Sequence, residues 1–159
     1  LAVERFSYNP IQITKMFLLI GGTLIFAQGF FVRRFVGRVG EKRMALAGIL
    51  IGLIAFLMLS ILKGETWFFI SLFLMSTGVA FISPTLTSLT SLHSGEQDQG
   101  FHLGVFRSSG SMARAIGPLF AGLIFFKYGS SFAYFLGALF LLIPFWFLFR
   151  VPQPETTSK

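Results

Sequence analysis

GVFRSSGSMARAIGPLFAG, residues Gly104–Gly122, is the stretch on which the fold turns. It has the length and apolar character of a membrane-spanning helix, yet it carries Arg107, Arg114 and a Gly117-Pro118 pair. An arginine near the centre of a bilayer costs about 2.5–3.5 kcal/mol even on the lenient insertion scale, so it is seldom placed there for packing alone. Whether that cost applies depends on the rest of the chain. The 159 residues are 54% hydrophobic, include 22 phenylalanines and are only 12% charged. A soluble domain carries about 25% charged residues. Apolar residues come in blocks: 44–62 and 131–149 each run 19 residues without a charge, and 66–92 runs 27. Uncharged runs of this length read as transmembrane helices. Residues 16–32 form a shorter run that extends back through Ile11 and Ile13, with Lys15 snorkelling to the interface. With the quoted stretch included, the sequence predicts an all-α polytopic membrane protein. Its five spans lie at about 11–35, 44–62, 66–92, 101–126 and 131–149, in a single transmembrane bundle with no separate soluble domain.

The net charge of +7 is distributed in a way that argues for topology, not for nucleic-acid binding. Five of the thirteen basic residues, Arg33, Arg34, Arg38, Lys42 and Arg43, fall in the short connection between spans one and two. Basic clusters beside a membrane helix mark the cytoplasmic side. By alternation, the 92–100 connection and the tail from Arg150 are cytoplasmic as well, and the start of the chain and the 63–65 and 127–130 turns are external. An external amino terminus without a signal peptide, and a first residue that is leucine, give the expectation of a fragment lacking its N-terminal part. The absence of cysteine excludes disulfides and thiolate metal sites. His93 and His102 lie at a loop and a helix start, with no HExxH, no paired intramembrane acids and no nucleophile–base spacing. Neither an enzyme nor a cofactor is expected.

Three spans carry faces of small or polar residues. In span two, Gly48-x-x-x-Gly52 permits close backbone approach, either to a neighbouring helix or in a specific dimer. In span three, Ser76, Ala80, Ser83, Thr87 and Thr90 recur at spacings of three and four. Their hydroxyls either bond back to their own helix carbonyls or line a cavity. In span four, Arg107, Gly110, Ser111, Arg114, Gly117, Pro118 and Ala121 share one face. Arg107 can snorkel to the cytoplasmic end, but Arg114 lies near the middle and must face the bundle interior or water. Pro118 lacks an N–H and so frees the carbonyl of Arg114; Pro84 does the same to Ala80. Irregular backbone at membrane depth is tolerated where protein or a water-filled cavity satisfies it. Gly117, Pro118 and Pro84 are therefore candidate helix breaks and gating points. A purely structural Arg114 would be neutralised by a carboxylate or by carbonyls on a neighbouring helix, and no carboxylate lies inside any of the five spans. A carboxylate partner is then contributed from outside these residues, or it is the ligand.

Two stretches, GFFVRRFVGRVGEKRMALAG (Gly29–Gly48) and GEQDQGFHLGVFRSSGSMARAIGP (Gly95–Pro118), together with the order and length of the five spans, resemble the carboxy-terminal half of a major facilitator superfamily transporter. The spans would be its helices eight to twelve, and the resemblance is nearest to the tetracycline-exporter and tetracycline-transporter-like drug:proton antiporters. The family's basic loop motif, G-x-x-x-D-R-x-G-R-K/R, is matched at Arg38, Gly40 and Lys42 but has Gly37 at its aspartate and Glu41 at its second arginine. The antiporter motif G-x8-G-x3-G-P-x2-G is echoed as Gly104, Ala113, Gly117-Pro118 and Ala121, with alanine at two glycine positions.

The resemblance implies most of one six-helix half, with substrate held near the midplane between two rocking bundles. It implies Arg114, Gln28, Ser83 and Thr87 as cavity-facing residues, and Arg34, Arg38, Gly40, Lys42 and Arg43 as a cytoplasmic loop. The implied partners are the lipid bilayer, a small-molecule substrate and a missing N-terminal half. The implied location is the bacterial inner membrane with a cytoplasmic C-terminus. The implied activity is secondary active transport by alternating access, of the proton-coupled efflux type, although no intramembrane carboxylate is present to carry a proton. The alternative is a stand-alone accessory or scaffold subunit that assembles with a partner.

Overall fold

Asn9 starts the first helix: its side chain accepts from the Gln12 N–H at 2.9 Å, while Gln12 Oε1 accepts from the Asn9 N–H at 2.9 Å. This reciprocal cap is followed by Pro10, whose fixed φ suits the first helical position. The computed structural model describes residues 6–95 and 97–152. Among them are five helices long and apolar enough to cross a membrane: α1 (Pro10–Val39), α2 (Glu41–Ile61), α3 (Glu65–Leu92), α4 (Gln99–Tyr128) and α5 (Ser130–Arg150). No strand occurs among the described residues. The chain is an all-α membrane bundle.

Two expectations are corrected. The basic connection between the first two spans is not a loop, because α1 stays helical through Arg33, Arg34 and Arg38 to Val39, and Lys42 and Arg43 already belong to α2. Only Gly40 separates the two helices. Its φ of 86° with ψ of 150° lies in a region that an L side chain rarely enters, so glycine is required there. The physical reason for the long helix is length: 30 residues at 1.5 Å each reach about 45 Å, against a hydrocarbon core of about 30 Å. The basic end leaves the core while its backbone is still satisfied by helix.

The second correction concerns Gly117, Pro118 and Pro84. Neither α3 nor α4 breaks at these positions; both helices run through their prolines. The irregularity lies instead in α1, where Ala27–Val32 forms a π-helical turn without any proline to announce it. Such turns are rare and recur at functional sites.

The bundle is built around α2, which packs most extensively against α3 and α5. At the α2–α3 crossing, a Cβ on Gly48 would meet the Gly78 carbonyl oxygen at 2.9 Å, and one on Gly78 would meet the Gly48 carbonyl oxygen at 2.8 Å. Gly48-x-x-x-Gly52 thus serves an intrachain crossing. In lipid, where no hydrophobic drive joins helices, such close backbone packing supplies the association energy. Ala45, Ile49, Leu89 and Leu148 form one buried cluster, and Tyr8, Leu59, Phe68 and Leu72 another. Polar ties clamp the ends. Ser60 Oγ donates to the Ser131 carbonyl at 2.8 Å, and Lys42 Nζ donates to the Phe149 carbonyl at 2.9 Å, where a cation suits the C-terminal end of α5. Tyr8 Oη donates to Glu65 Oε1 at 2.6 Å; burial, with the Glu65 hydrogen bond and charge adding to it, pushes the phenol up to about 12. Helix α4 is different. It packs thinly on α3 and α5, and none of its residues is buried.

Candidate substrate-facing cleft

Where α4 leans on α3, a cavity of about 580 Å3 opens between them. Arg107, Gly110, Ser111 and Arg114 line it from α4, and Ser83 and Thr87 line it from α3, with Ile82, Leu86 and Phe106 as the apolar wall. The helical period explains the grouping: Arg107 and Arg114 stand two turns apart on one face, and Ser83 and Thr87 one turn apart on another. A second cavity of about 530 Å3 adjoins it toward α1, lined by Gln28, Ser83, Pro84, Thr87, Ser88 and Ser91 with Leu92 and Leu103.

Ser83 and Thr87 belong to both cavities. Of the four residues expected to face a cavity, Arg114 therefore lies on one side of this α3 pair and Gln28 on the other, the latter presented by the π-helical turn. Arg114 and Gln28 do not line the same cavity. Pro84 lines the second cavity, and Gly117 and Pro118 line neither.

The Arg114 guanidinium folds back along its own helix. Its Nη2 donates to Ser111 Oγ at 3.0 Å, and Ser111 Oγ donates to the Arg107 carbonyl at 3.0 Å. The guanidinium lies over Gly110, where an added Cβ would come 3.4 Å from Arg114 Nη1, an ordinary contact with the tip of a flexible side chain. The serine takes one of five guanidinium donors, and no ion pair neutralises Arg114 among the described residues. Two cations and no acid among the lining residues give the cleft a positive field, which concave low-dielectric walls focus.

The two readings of the α3 face divide by position. Ser76 is buried and donates to the Leu72 carbonyl at 2.8 Å, and Ala80 is buried in the packing. Thr90 donates to the Leu86 carbonyl at 2.9 Å. Thr87 does both, donating to the Ser83 carbonyl at 2.9 Å while lining the cavities with an oxygen still able to accept. Sequence reasoning missed Arg107 as a cavity residue, having assigned it to topology. Its signal was present, since Arg107 shares the Arg114 face. Ser88 and Ser91 were also missed, because their exposure depends on where α1 and α4 meet α3.

The residues expected in the basic loop have other surroundings. Arg34, Arg38 and Arg43 are exposed, Gly40 is buried, and Lys42 caps α5. Glu41, at a position the resemblance would fill with arginine, accepts from Ser88 Oγ at 3.4 Å and ties α2 to α3 beside the second cavity.

The class that the fold and the site define is a five-helix membrane bundle with a polar, cationic cleft between two of its helices. The family model of the Major Facilitator Superfamily matches residues 2–159, and the chain belongs to that superfamily. Among curated proteins, major facilitator superfamily domain-containing protein 10 from Mus musculus is 29% identical over 100% of this chain and 35% of its own length. The Homo sapiens protein of that name is 30% identical over 98% of this chain and 34% of its own. The chain thus spans about a third of the length of these relatives. The crystal structure of the human organic anion transporter MFSD10 (TETRAN) superposes with a TM-score of 0.86 at 30% identity, covering 92% of this chain and 34% of that one. A peptide transporter, POT, solved in complex with alafosfalin, superposes with a TM-score of 0.73 at 20% identity over 84% of this chain and 28% of its own, a likeness of fold.

Proposed function

We propose that this chain forms one side of the translocation pathway of a secondary transporter, and that the pathway carries small organic anions by alternating access. The observation behind this reading is the convergence of Arg107 and Arg114 on one cavity with no acidic side chain in its wall. A substrate carboxylate engages Arg114 through paired N–H···O bonds, the geometry for which guanidinium is suited. Arg107 supplies the second charge, and the hydroxyls of Ser83 and Thr87 meet the remaining polar atoms. The likeness to a structure described as an organic anion transporter supports the substrate class.

The face of α4 left exposed here meets the rest of a longer transporter, as the threefold greater length of the relatives suggests. Drug efflux of the tetracycline-exporter type rests on the Gly29–Gly48 and Gly95–Pro118 stretches. Proton antiport would then use a carboxylate contributed from outside these residues. We place the basic ends, Arg33–Arg43 and Arg150, on the cytoplasmic side, and with them the C-terminus. A bacterial inner membrane is what the sequence resemblance implies; the matched relatives are from mouse, human and cattle.

Binding tests the reading. Purified native polypeptide carrying this sequence is titrated with a panel of organic monocarboxylates and their neutral amides. The carboxylates bind and the amides do not, and Arg114→Gln weakens the carboxylates about 10–100-fold, the worth of a charged hydrogen-bonded pair. Equal binding of acid and amide would remove the anion from the proposal.

A further inference from the structure

On the opposite side of α3 from the cationic cleft lies a third cavity, of about 340 Å3, between α1 and α3. Phe26, Phe31, Phe73 and Phe81 line it with Thr23 and Thr77, and no charged side chain enters it. The Thr77 hydroxyl is used within its own helix, donating to the Phe73 carbonyl at 2.8 Å. Phe26, Phe31 and Phe73 stand exposed along its mouth. At one end the lining continues along α1 as an aromatic ladder: Phe26 stacks on Phe30 with centroids 5.7 Å apart, and Phe31 on Phe35 at 6.1 Å.

The ladder runs directly into the basic end of the helix. Arg34 follows Phe31 by three residues and Arg38 follows Arg34 by four, spacings that keep them on neighbouring surface. Arg33, Arg34, Arg38 and Arg43 are all exposed. Among the described residues none of the four guanidinium groups forms an ion pair or a side-chain hydrogen bond. Because α1 is about 15 Å longer than the hydrocarbon core is thick, its last turns reach the headgroup layer while the phenylalanine-lined groove stays among acyl chains.

We infer that groove and basic end together form a site for an anionic phospholipid. One acyl chain lies along the aromatic groove between α1 and α3, and the headgroup phosphate sits between Arg34 and Arg38. Apolar lining alone would accept any chain, and arginines alone any anion; their continuity along one helix selects a molecule with both parts. Guanidinium binds phosphate oxygens in pairs, which Arg34 and Arg38, without a side-chain partner among the described residues, are free to do.

The test is lipid retention by the native polypeptide that carries this sequence, extracted in mild detergent and equilibrated with phosphatidylglycerol or phosphatidylcholine of matched chains. Bound lipid is counted by native mass spectrometry. Phosphatidylglycerol is retained in preference to phosphatidylcholine, and Arg34→Gln and Arg38→Gln each weaken it about fivefold, the worth of one basic residue at an anionic surface. Arg34→Lys and Arg38→Lys hold most of the retention, which separates loss of the site from loss of the fold. Thr77→Phe, which fills the groove, lowers retention with the arginines intact. Equal retention of the two lipids, or glutamine variants that behave as wild type, would overturn the site. So would a photoreactive residue at position 77 that labels polypeptide instead of acyl chain, since a further helix would then cover the groove.

Discussion

At the scale of single residues, the cleft is organised by how Arg114 is held. Its guanidinium is anchored by Ser111 and lies over Gly110, so the serine hydroxyl fixes the charge proposed to meet the substrate. Ser111→Ala removes the anchoring hydroxyl, and anion affinity should fall about three- to tenfold, a smaller loss than Arg114→Gln gives, because only a neutral acceptor is lost. Equilibrium titration with the same carboxylate ligand checks the ranking. Tyr8 gives a pH dependence of known sign. Its folded value of about 12 exceeds the ordinary 10, so its contribution to stability is complete below about pH 10 and is lost as pH rises toward 12. Unfolding in detergent at a series of pH values should show that alkaline loss in the wild type and a shallower one in Tyr8→Phe.

At the scale of helices, the α2–α3 crossing sets the frame on which the cleft depends. With backbone atoms 2.8–2.9 Å from any added Cβ, Gly48→Ala or Gly78→Ala must push the helices apart. A cost of about 1–3 kcal/mol follows, the range for overpacking, read as lowered resistance to denaturation in detergent. Gly52→Ala meets only a Leu141 methyl at 3.6 Å and should be much milder, so the ranking itself is informative. Helix existence was legible because apolar runs of 19 and 27 residues admit few alternatives. The hydroxyl face of α3 was legible as a pattern, yet its division between packing at Ser76 and cavity at Thr87 was not, because periodicity says nothing of where a neighbour ends. Pro84 and Pro118 misled in a consistent way: proline frees a carbonyl, but a long helix keeps its axis when the flanking turns still bond. The π-helical turn carrying Gln28 had no local signal, since no residue in AQGFFV demands it.

At the scale of the whole molecule, charge is segregated along the membrane normal and chemistry across the bundle. The basic corner at Gly40 joins two helices without a loop, so its arginines are held on helical backbone. Gly40→Ala forces an L side chain into a glycine conformation at a cost of about 1–3 kcal/mol, and loss of folded protein in membranes should report it. The position of the corner could be read from the charge run; its helical character could not, because hydropathy falls at Arg33 although the helix does not end there. The cationic cleft stands on one side of α3 and the aromatic groove on the other, so the substrate and the lipid proposed above would meet different faces of one helix.

The most direct measurement is uptake of a radiolabelled organic carboxylate into proteoliposomes containing the native polypeptide, with Arg114→Lys and Arg114→Gln beside the wild type. If Arg114 binds the anion, the glutamine variant loses transport by at least about tenfold while inserting normally, and the lysine variant, which keeps the charge without the paired donors, falls between. Wild-type rates in the glutamine variant would make Arg114 a packing residue and move the substrate elsewhere.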